Sequence, residues 1–100
     1  MDRIYTAGEW TVKPGKENEF AEAWRELAEW SASEVPGAIS ATLLRNMDDP
    51  RRFVSIGPWE SLEAVEQWRA LPGFQERVVK LRQLLDSFEP RTLELVAEVP

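Results

Sequence analysis

The chain of 100 residues contains neither histidine nor cysteine. Without an imidazole or a thiolate, one chain cannot build a histidine- or cysteine-based zinc site, a histidine-ligated haem, a cysteine nucleophile or a Ser-His-Asp triad. The glycine-rich phosphate loops GxGxxG and GxxxxGKS/T are also absent. Proton transfer would have to use Asp, Glu, Lys, Tyr, water or the acidity of the substrate itself. We therefore expect neither a metal nor a cofactor.

Positive charge is also in short supply. Twelve Lys and Arg stand against eighteen Asp and Glu, which gives a net charge of −6. Nucleic acids and anionic membrane surfaces select basic patches, so neither is an expected partner. The sequence has no apolar run of membrane-spanning length and no apolar leader segment. We expect a cytoplasmic protein with a single domain over residues 1–100.

The one enriched class of residue is aromatic, because five Trp occur in one hundred residues. An indole fills a core, but it also lines pockets for flat ligands. Gly8 removes a side chain from the face of the first predicted strand that carries Trp10. Two interpretations of this glycine stay open: a bulge or close backbone packing, and floor space for a ligand.

Hydrophobic periodicity predicts alternating strands and helices. The strand pattern occurs four times, over residues 4–12, 38–45, 51 or 52 to 57, and 92–99. The helical pattern occurs three times, over residues 16–33, 61–71 and 74–87. Ser61 is the predicted N-cap of the middle helix, and Pro90 is predicted to end the last one. Asp48 and Asp49 are predicted to form a turn rather than a metal site.

This order of elements predicts an α+β fold of the ferredoxin-like type, βαββαβ, with the second helix broken in two at Leu71-Pro72-Gly73. Helices would cover one face of a four-stranded antiparallel sheet. The other face would carry Val54, Ile56 and either Leu43 or Leu44 as an exposed apolar patch. A second copy packed sheet to sheet would cover that patch, so we expect a two-fold homodimer.

Several short stretches resemble antibiotic biosynthesis monooxygenase (ABM) domains. They run along the chain from Ile4 to Val99: VKPGKENEFAEAW after the first strand, the PGA turn, the LLR strand end, RFVSIGPWES, and the PGF before the last helix. The position of Trp68, nine residues after Trp59, fits the same pattern. The resemblance implies a dimeric α+β barrel with one pocket per protomer between sheet and helices.

The family that the chain resembles includes cofactor-independent oxygenases of quinol-like polyaromatic substrates, haem-degrading enzymes and many proteins without an assigned activity. The haem-degrading pattern combines an Asn on the first strand, a Trp at the end of the later helix and an axial His. Trp68 matches that Trp, but Gly8 stands where the Asn belongs and Val78 where the His belongs. Haem ligation of that kind is therefore not expected.

Cofactor-free oxygenation asks less of the protein, because an electron-rich phenol or quinol anion itself passes an electron to oxygen. The site has to bind, deprotonate and shield that substrate. The residues expected to line such a pocket for a small hydrophobic or aromatic ligand are Gly8, Trp10, Trp24, Trp59, Trp68, Phe74 and Val78. Core packing is the alternative role for each of these indoles.

No catalytic residue is identified from the sequence. Tyr5, Arg45 and Asn46 are polar groups near strand ends, but nothing in the sequence aims them inward. Two functions stay open. One is a cofactor-independent monooxygenase that acts on a small aromatic or enolisable metabolite, and the other is a non-catalytic small-molecule-binding or accessory dimer of the same fold.

Overall fold

Four strands and three helices make up the described part of the domain. The computed structural model describes residues 3–100, so Met1 and Asp2 of the predicted domain lie outside it. The elements are β1 (Ile4–Val12), α1 (Glu17–Glu34), β2 (Thr42–Arg45), β3 (Arg52–Trp59), α2 (Leu62–Ala70), α3 (Pro72–Arg82) and β4 (Leu85–Glu94). The predicted α+β class and the βαββαβ order, with the second helix in two pieces, are confirmed. No helix within the described range combines the length and the apolarity needed to cross a membrane.

The sheet has the strand order β2-β3-β1-β4, and every neighbouring pair is antiparallel. Alternate residues of β1 and β3 point towards the helices. On β1 these include Gly8 and Trp10, which lie opposite Ser55 and Phe53 of β3. All four are buried, whereas the intervening Glu9 and Val54 are exposed. The helix-covered face of the sheet is therefore the face that carries the core.

Among the described residues, two apolar clusters lie between sheet and helices. The larger one lies where β1 ends and β4 begins, and its buried members are Trp10, Val12, Phe20, Leu27, Phe53, Leu81, Leu84 and Leu85. The smaller one lies where β3 leads into α2, and its buried members are Val35, Trp59, Ala64 and Val65. Between the two clusters, the helix-covered face of the sheet carries the small residues Thr6, Gly8, Ser55 and Gly57.

The ends of the later helices follow the predicted signals. The Ser61 hydroxyl accepts a hydrogen bond from the backbone N–H of Ala64 at 3.1 Å, which confirms Ser61 as the N-cap of α2. Leu71 has extended backbone angles, and Pro72 then opens α3 at its first position, where no N–H is needed. The break between the two helices therefore comes from local sequence.

The predicted strand over residues 38–45 is wrong in its first half. Only Thr42–Arg45 pairs continuously with β3, and Ala38 forms one isolated bridge with Trp59. Between them the chain crosses close over Gly57, because a Cβ at Gly57 would lie 2.5 Å from the carbonyl oxygen of Ser40. This approach is closer than ladder pairing allows, and only a glycine accommodates it.

The third strand continues past the predicted stop at Gly57-Pro58 and ends at Trp59. Pro58 is tolerated there because β2 has already ended at that level of the sheet. The carbonyl of Pro58 accepts from Ile39 N–H at 3.3 Å on the β2 side, so its nitrogen faces the same side, where no strand partner is lost.

The end of the chain differs most from its prediction. The helix over residues 74–87 actually ends at Arg82, and the last strand occupies Leu85–Glu94 rather than 92–99. Pro90 lies within this edge strand instead of ending a helix. Leu85 and Phe88 share one face although they are three residues apart, because a register shift at Thr11/Val12 adds a residue to β4. The bulge thus reproduces a helical spacing within a strand.

The face of the sheet away from the helices is largely apolar at its β2–β3 end. Leu44, Val54 and Ile56 are 55%, 43% and 39% exposed there, as predicted, whereas Leu43 points towards the helices. The β1–β4 side is mixed. Arg91 donates to Glu9 at 2.6 Å and to Glu89 at 2.8 Å, and the bond to Glu9, followed by the charges of both carboxylates, raises the pKa of Arg91.

Replacing Gly57 by Ala tests the close crossing of the chain. Gly57 does not have a positive φ, so alanine suits the backbone and any cost reports the clash with Ser40. We expect the free energy of unfolding to fall by about 1–3 kcal/mol, as for overpacking of a filled site. Urea denaturation measures this. Wild-type stability in Gly57→Ala would mean that residues 38–41 move aside freely, contrary to the structure.

Candidate ligand cavity

A cavity of about 710 Å³ opens between the helix-covered face of the sheet and all three helices. Its volume falls within the range of about 300–1,000 Å³ that is usual for small-molecule sites. Every residue predicted to line a pocket contributes to its wall: Gly8, Trp10, Trp24, Trp59, Trp68, Phe74 and Val78. The structure thus brings the seven residues together, and their role in binding a substrate stays a prediction.

Aromatic rings line the cavity in two separate groups, and within each group the rings pack against one another. Trp68 packs against Trp59 and against Phe74, with ring centroids 4.7 and 4.4 Å away. Trp10 stacks on Phe88 of β4 at 4.0 Å with the planes 16° apart. Trp10 and Trp59 are also buried members of the two core clusters. For these indoles, core packing and cavity lining are therefore the same role.

Gly8 lies in the floor of the cavity beneath the edge of the Trp10 indole. A Cβ at Gly8 would lie 2.8 Å from Trp10 Nε1 and 3.0 Å from Ser55 Oγ. The β1–β3 ladder runs past Gly8 without a shift in register, so no bulge occurs there. The close packing is made by side chains rather than by backbone. Glycine at this position leaves room for the Trp10–Ser55 hydrogen bond.

Three of the cavity indoles donate their N–H groups to hydroxyls within the protein. Trp10 Nε1 donates to Ser55 Oγ at 3.0 Å, and Trp59 Nε1 donates to Thr6 Oγ1 at 3.0 Å. Trp68 Nε1 donates to the buried hydroxyl of Ser31 at 2.8 Å. These indoles therefore contribute ring surface to the wall rather than free polar atoms.

The accepting hydroxyls differ in what they do with their own proton. Ser31 donates to the carbonyl of Leu27 at 2.7 Å, so its proton is used. Ser55 and Thr6 donate to no residue in the range 3–100. A hydroxyl that accepts from an N–H becomes a better donor, because hydrogen bonds in a chain polarise one another. The floor of the cavity thus offers two polarised O–H donors to a ligand.

Charged groups lie at the rim of the cavity rather than in its floor. The lining includes Arg25 and Glu29 of α1, Arg69 at the end of α2, and Arg82 at the end of α3. Arg91 contributes backbone only, because its guanidinium is bound to Glu9 and Glu89 on the opposite face of the sheet. Among the described residues, the rim of the cavity therefore carries more cationic than anionic side chains.

The polar residues considered from the sequence lie elsewhere. Tyr5 and Arg45 do not line the cavity: Tyr5 is on the opposite sheet face, and Arg45 sits 5.0 Å above the Phe53 ring at the end of β2. Asn46 accepts from the N–H groups of Asp48 and Asp49 at 2.8 and 3.1 Å, which confirms the predicted turn. No group of three acidic side chains suited to a metal ion occurs among residues 3–100.

The sequence interpretation missed the two floor hydroxyls. A signal for them was present, because strand alternation places Ser55 on the face of Phe53 and Trp59, and Thr6 on the face of Trp10. Their pairing with indoles depends on strand register, which the sequence does not reveal.

The Trp68–Ser31 hydrogen bond joins α2 to α1 across the cavity, and a double-mutant cycle measures it. We expect Ser31→Ala to lower the free energy of unfolding by about 1–3 kcal/mol, because the indole N–H loses its acceptor. In the Trp68→Phe background the loss should shrink by about 0.5–1.5 kcal/mol. Urea unfolding of the four proteins gives the coupling energy.

A second cycle provides the control for that prediction. The exposed Ser33 hydroxyl donates only to the Trp30 carbonyl among the described residues, so Ser33→Ala and Trp68→Phe should be additive. Additivity of Ser31→Ala with Trp68→Phe as well would show that the bond contributes nothing to stability.

Comparison with known proteins places this geometry in context. The chain is similar to SnoaB, a cofactor-independent oxygenase from Streptomyces nogalater, at 28% identity over 100% of this chain and 99% of that chain, with a TM-score of 0.91. A mutant of SnoaB gives 0.92. A conserved protein from Methanosarcina mazei Go1 shares the fold at 22% identity, covering 93% and 92% of the two chains with a TM-score of 0.82. No curated protein matches the sequence significantly.

The family model for antibiotic biosynthesis monooxygenases matches residues 3–79, which is more than half of the chain. The matched range covers β1 to α3 up to Val79 and with them most of the cavity wall. The chain therefore belongs to the antibiotic biosynthesis monooxygenase family.

Proposed function

We propose that this protein is a cofactor-independent monooxygenase that oxidises a small aromatic or enolisable metabolite in the cavity between sheet and helices. The observation that carries the proposal is the cavity itself, about 710 Å³ in volume and lined by indoles that pack against other aromatic rings. Membership of the family and similarity to the cofactor-independent oxygenase SnoaB support the same assignment.

The proposed reaction converts a ring methylene of an anthrone-like substrate into a carbonyl. One atom of O₂ enters the product and the other leaves as water, so the two hydrogens and the electrons all come from the substrate. The protein has to hold the flat ring system, favour its enolate and keep bulk water out of the site. The aromatic wall, in which Trp10, Trp59 and Trp68 donate their N–H groups to hydroxyls of the protein, meets the first and the last of these needs.

The floor hydroxyls supply the second need. An enolate or phenolate oxygen carries more negative charge than the neutral ketone or phenol, so a hydrogen bond to it is stronger. Ser55 and Thr6 are placed to donate such bonds. Each hydroxyl accepts from an indole N–H and donates to none of the described residues, so its proton is available to a ligand. Within the described part of the chain, the one carboxylate in the cavity lining is Glu29, which is exposed on α1. In this proposal the substrate proton passes to water at the rim.

Removal of the Ser55 hydroxyl tests its proposed function. With anthrone as substrate and oxygen uptake as the measurement, we expect Ser55→Ala to lower kcat/KM by about 10- to 100-fold, the effect of one hydrogen bond to a charged group. Ser33→Ala removes an exposed hydroxyl outside the cavity lining and should leave the rate unchanged. Equal rates for wild type and Ser55→Ala would contradict the assigned role.

The second candidate function is a binding protein that holds an aromatic ligand without turnover. One observation favours it: among residues 3–100, no carboxylate, Lys or Tyr lies in the floor of the cavity to serve as a base. Tight binding of anthrone, seen as quenched Trp fluorescence, together with background oxygen uptake across a panel of quinols and anthrones, would select this function over the oxygenase.

We also propose that the protein acts as a homodimer through the sheet face away from the helices, at a cytoplasmic location. The apolar residues on that face, Leu44, Val54, Ile56 and Leu93, are each about half exposed in one copy. An exposed patch of this kind is what an isologous interface buries.

The mass in solution tests the dimer. We expect light scattering to give twice the chain mass of 11.5 kDa at micromolar concentration. Ile56→Lys should give the mass of one chain, because it places an unpaired charge within the interface. Val79→Lys, which changes an exposed apolar residue on α3 away from that sheet face, is the control and should stay dimeric. A wild-type monomer would rule out the dimer.

A further inference from the structure

The cavity rim formed by α2, α3 and β4 is positively charged in a negatively charged protein. Two arginine side chains line it, Arg69 and Arg82, and no Asp or Glu of these elements does so. The chain as a whole carries −6. On the α1 side, by contrast, Arg25 is balanced by Glu29 in the lining and pairs with Glu22 at 3.2 Å. The excess of positive charge is therefore local to one side of the opening.

Arg69 is oriented but is not neutralised. It is half-buried, and its Nη1 donates to Thr92 Oγ1 of β4 at 2.9 Å. Thr92 lies on the helix-covered face and also lines the cavity. No carboxylate of residues 3–100 lies within 4.0 Å of either Arg69 or Arg82, whereas the guanidinium groups of Arg25, Arg51, Arg77 and Arg91 all have carboxylate partners.

The helix dipole accounts for part of this arrangement. Arg69 and Arg82 lie in the last turns of α2 and α3, where a cation is favourable. That effect needs only a positive charge near the helix end. It does not require the Arg69 guanidinium to lie against Thr92 at the cavity, where partial burial without a counter-ion has a desolvation cost. A bound anion would offset that cost.

The free donors of Arg69 match one kind of anion particularly well. A guanidinium carries five N–H donors in a planar fork, and within the described residues Arg69 uses one of them. The planar fork suits the two oxygens of a carboxylate. The indole wall next to it suits the face of an aromatic ring system.

We propose that the ligand of this cavity is an aromatic carboxylate, with its rings against the indole wall and its carboxylate on Arg69. Arg82 adds a second positive charge at the same rim. The negative net charge of the chain repels an anionic ligand, so a local positive charge is needed to attract one to the opening. The proposal rests on the proposed function only in taking this cavity as the substrate site, and it adds the charge and the position of one substituent.

A matched pair of probes tests the charge preference. Anthraquinone-2-carboxylate and anthraquinone-2-carboxamide have the same rings and differ in charge at one group. Quenching of Trp fluorescence reports their binding, because four of the five Trp line the cavity. We expect the wild-type protein to bind the carboxylate at least about tenfold more tightly, the difference typical of one charge-assisted hydrogen bond.

Variants assign that preference to Arg69. Arg69→Gln should weaken binding of the carboxylate about tenfold and leave the carboxamide nearly unchanged. Arg69→Lys keeps the charge but loses the planar fork of donors. Its affinity for the carboxylate should therefore lie between those of the wild type and Arg69→Gln. Lys80→Gln removes the same charge from an exposed position on α3 that does not line this cavity, and it is the matched control. Thermal unfolding checks that each variant is folded.

Three results would overturn the proposal: equal affinity for both probes, equal weakening by Lys80→Gln and Arg69→Gln, or no binding of either probe. The oxygenase function is judged separately by oxygen uptake with anthrone. Preferential binding of the carboxylate probe without oxygen uptake would support the aromatic carboxylate as ligand and contradict the oxygenase function. Turnover of anthrone without carboxylate preference would do the reverse.

Discussion

The cavity depends on hydrogen bonds between indoles and hydroxyls that cross from one element to another. Trp10 of β1 donates to Ser55 of β3, and Trp59 of β3 donates back to Thr6 of β1. Trp68 joins α2 to α1 through Ser31. An apolar space of this size normally invites collapse, since unfilled volume is destabilising. Fixing the orientation of each ring at its polar end keeps the walls apart in a domain of one hundred residues.

The two faces of the sheet divide the tasks of the domain. The helix-covered face carries both core clusters and the cavity between them. The opposite face carries half-exposed aliphatic residues next to the Glu9–Arg91–Glu89 group. A domain this small buries a limited apolar area, so covering the opposite face would also stabilise the fold that holds the cavity. In the proposed dimer, the ligand cavity and the subunit interface lie on opposite faces of one sheet.

Sequence patterns predicted the elements whose signals are local. The β1 strand, α1, and the capped and broken pair α2–α3 followed from alternation, amphipathic spacing, Ser61 and Pro72. The predictions for residues 38–41 and 83–91 were wrong because the conformation of these segments is set by distant contacts. These contacts are the crossing over Gly57 and the pairing of β4 with its extra residue. The aromatic wall was expected from the number of Trp residues together with the resemblance to the ABM family. The floor hydroxyls and Arg69 were not, since their partners lie far away along the chain.

The form of β4 also decides how copies of this chain can meet. It is an outer strand of the sheet, and it combines an inserted residue near Leu85 with Pro90 in its middle. Both features interrupt the regular row of backbone groups that another strand would need for lateral pairing. The opposite border, β2, is only four residues long. Both borders of the sheet therefore disfavour pairing with a strand of another copy, which leaves the broad sheet face as the surface for the proposed dimer.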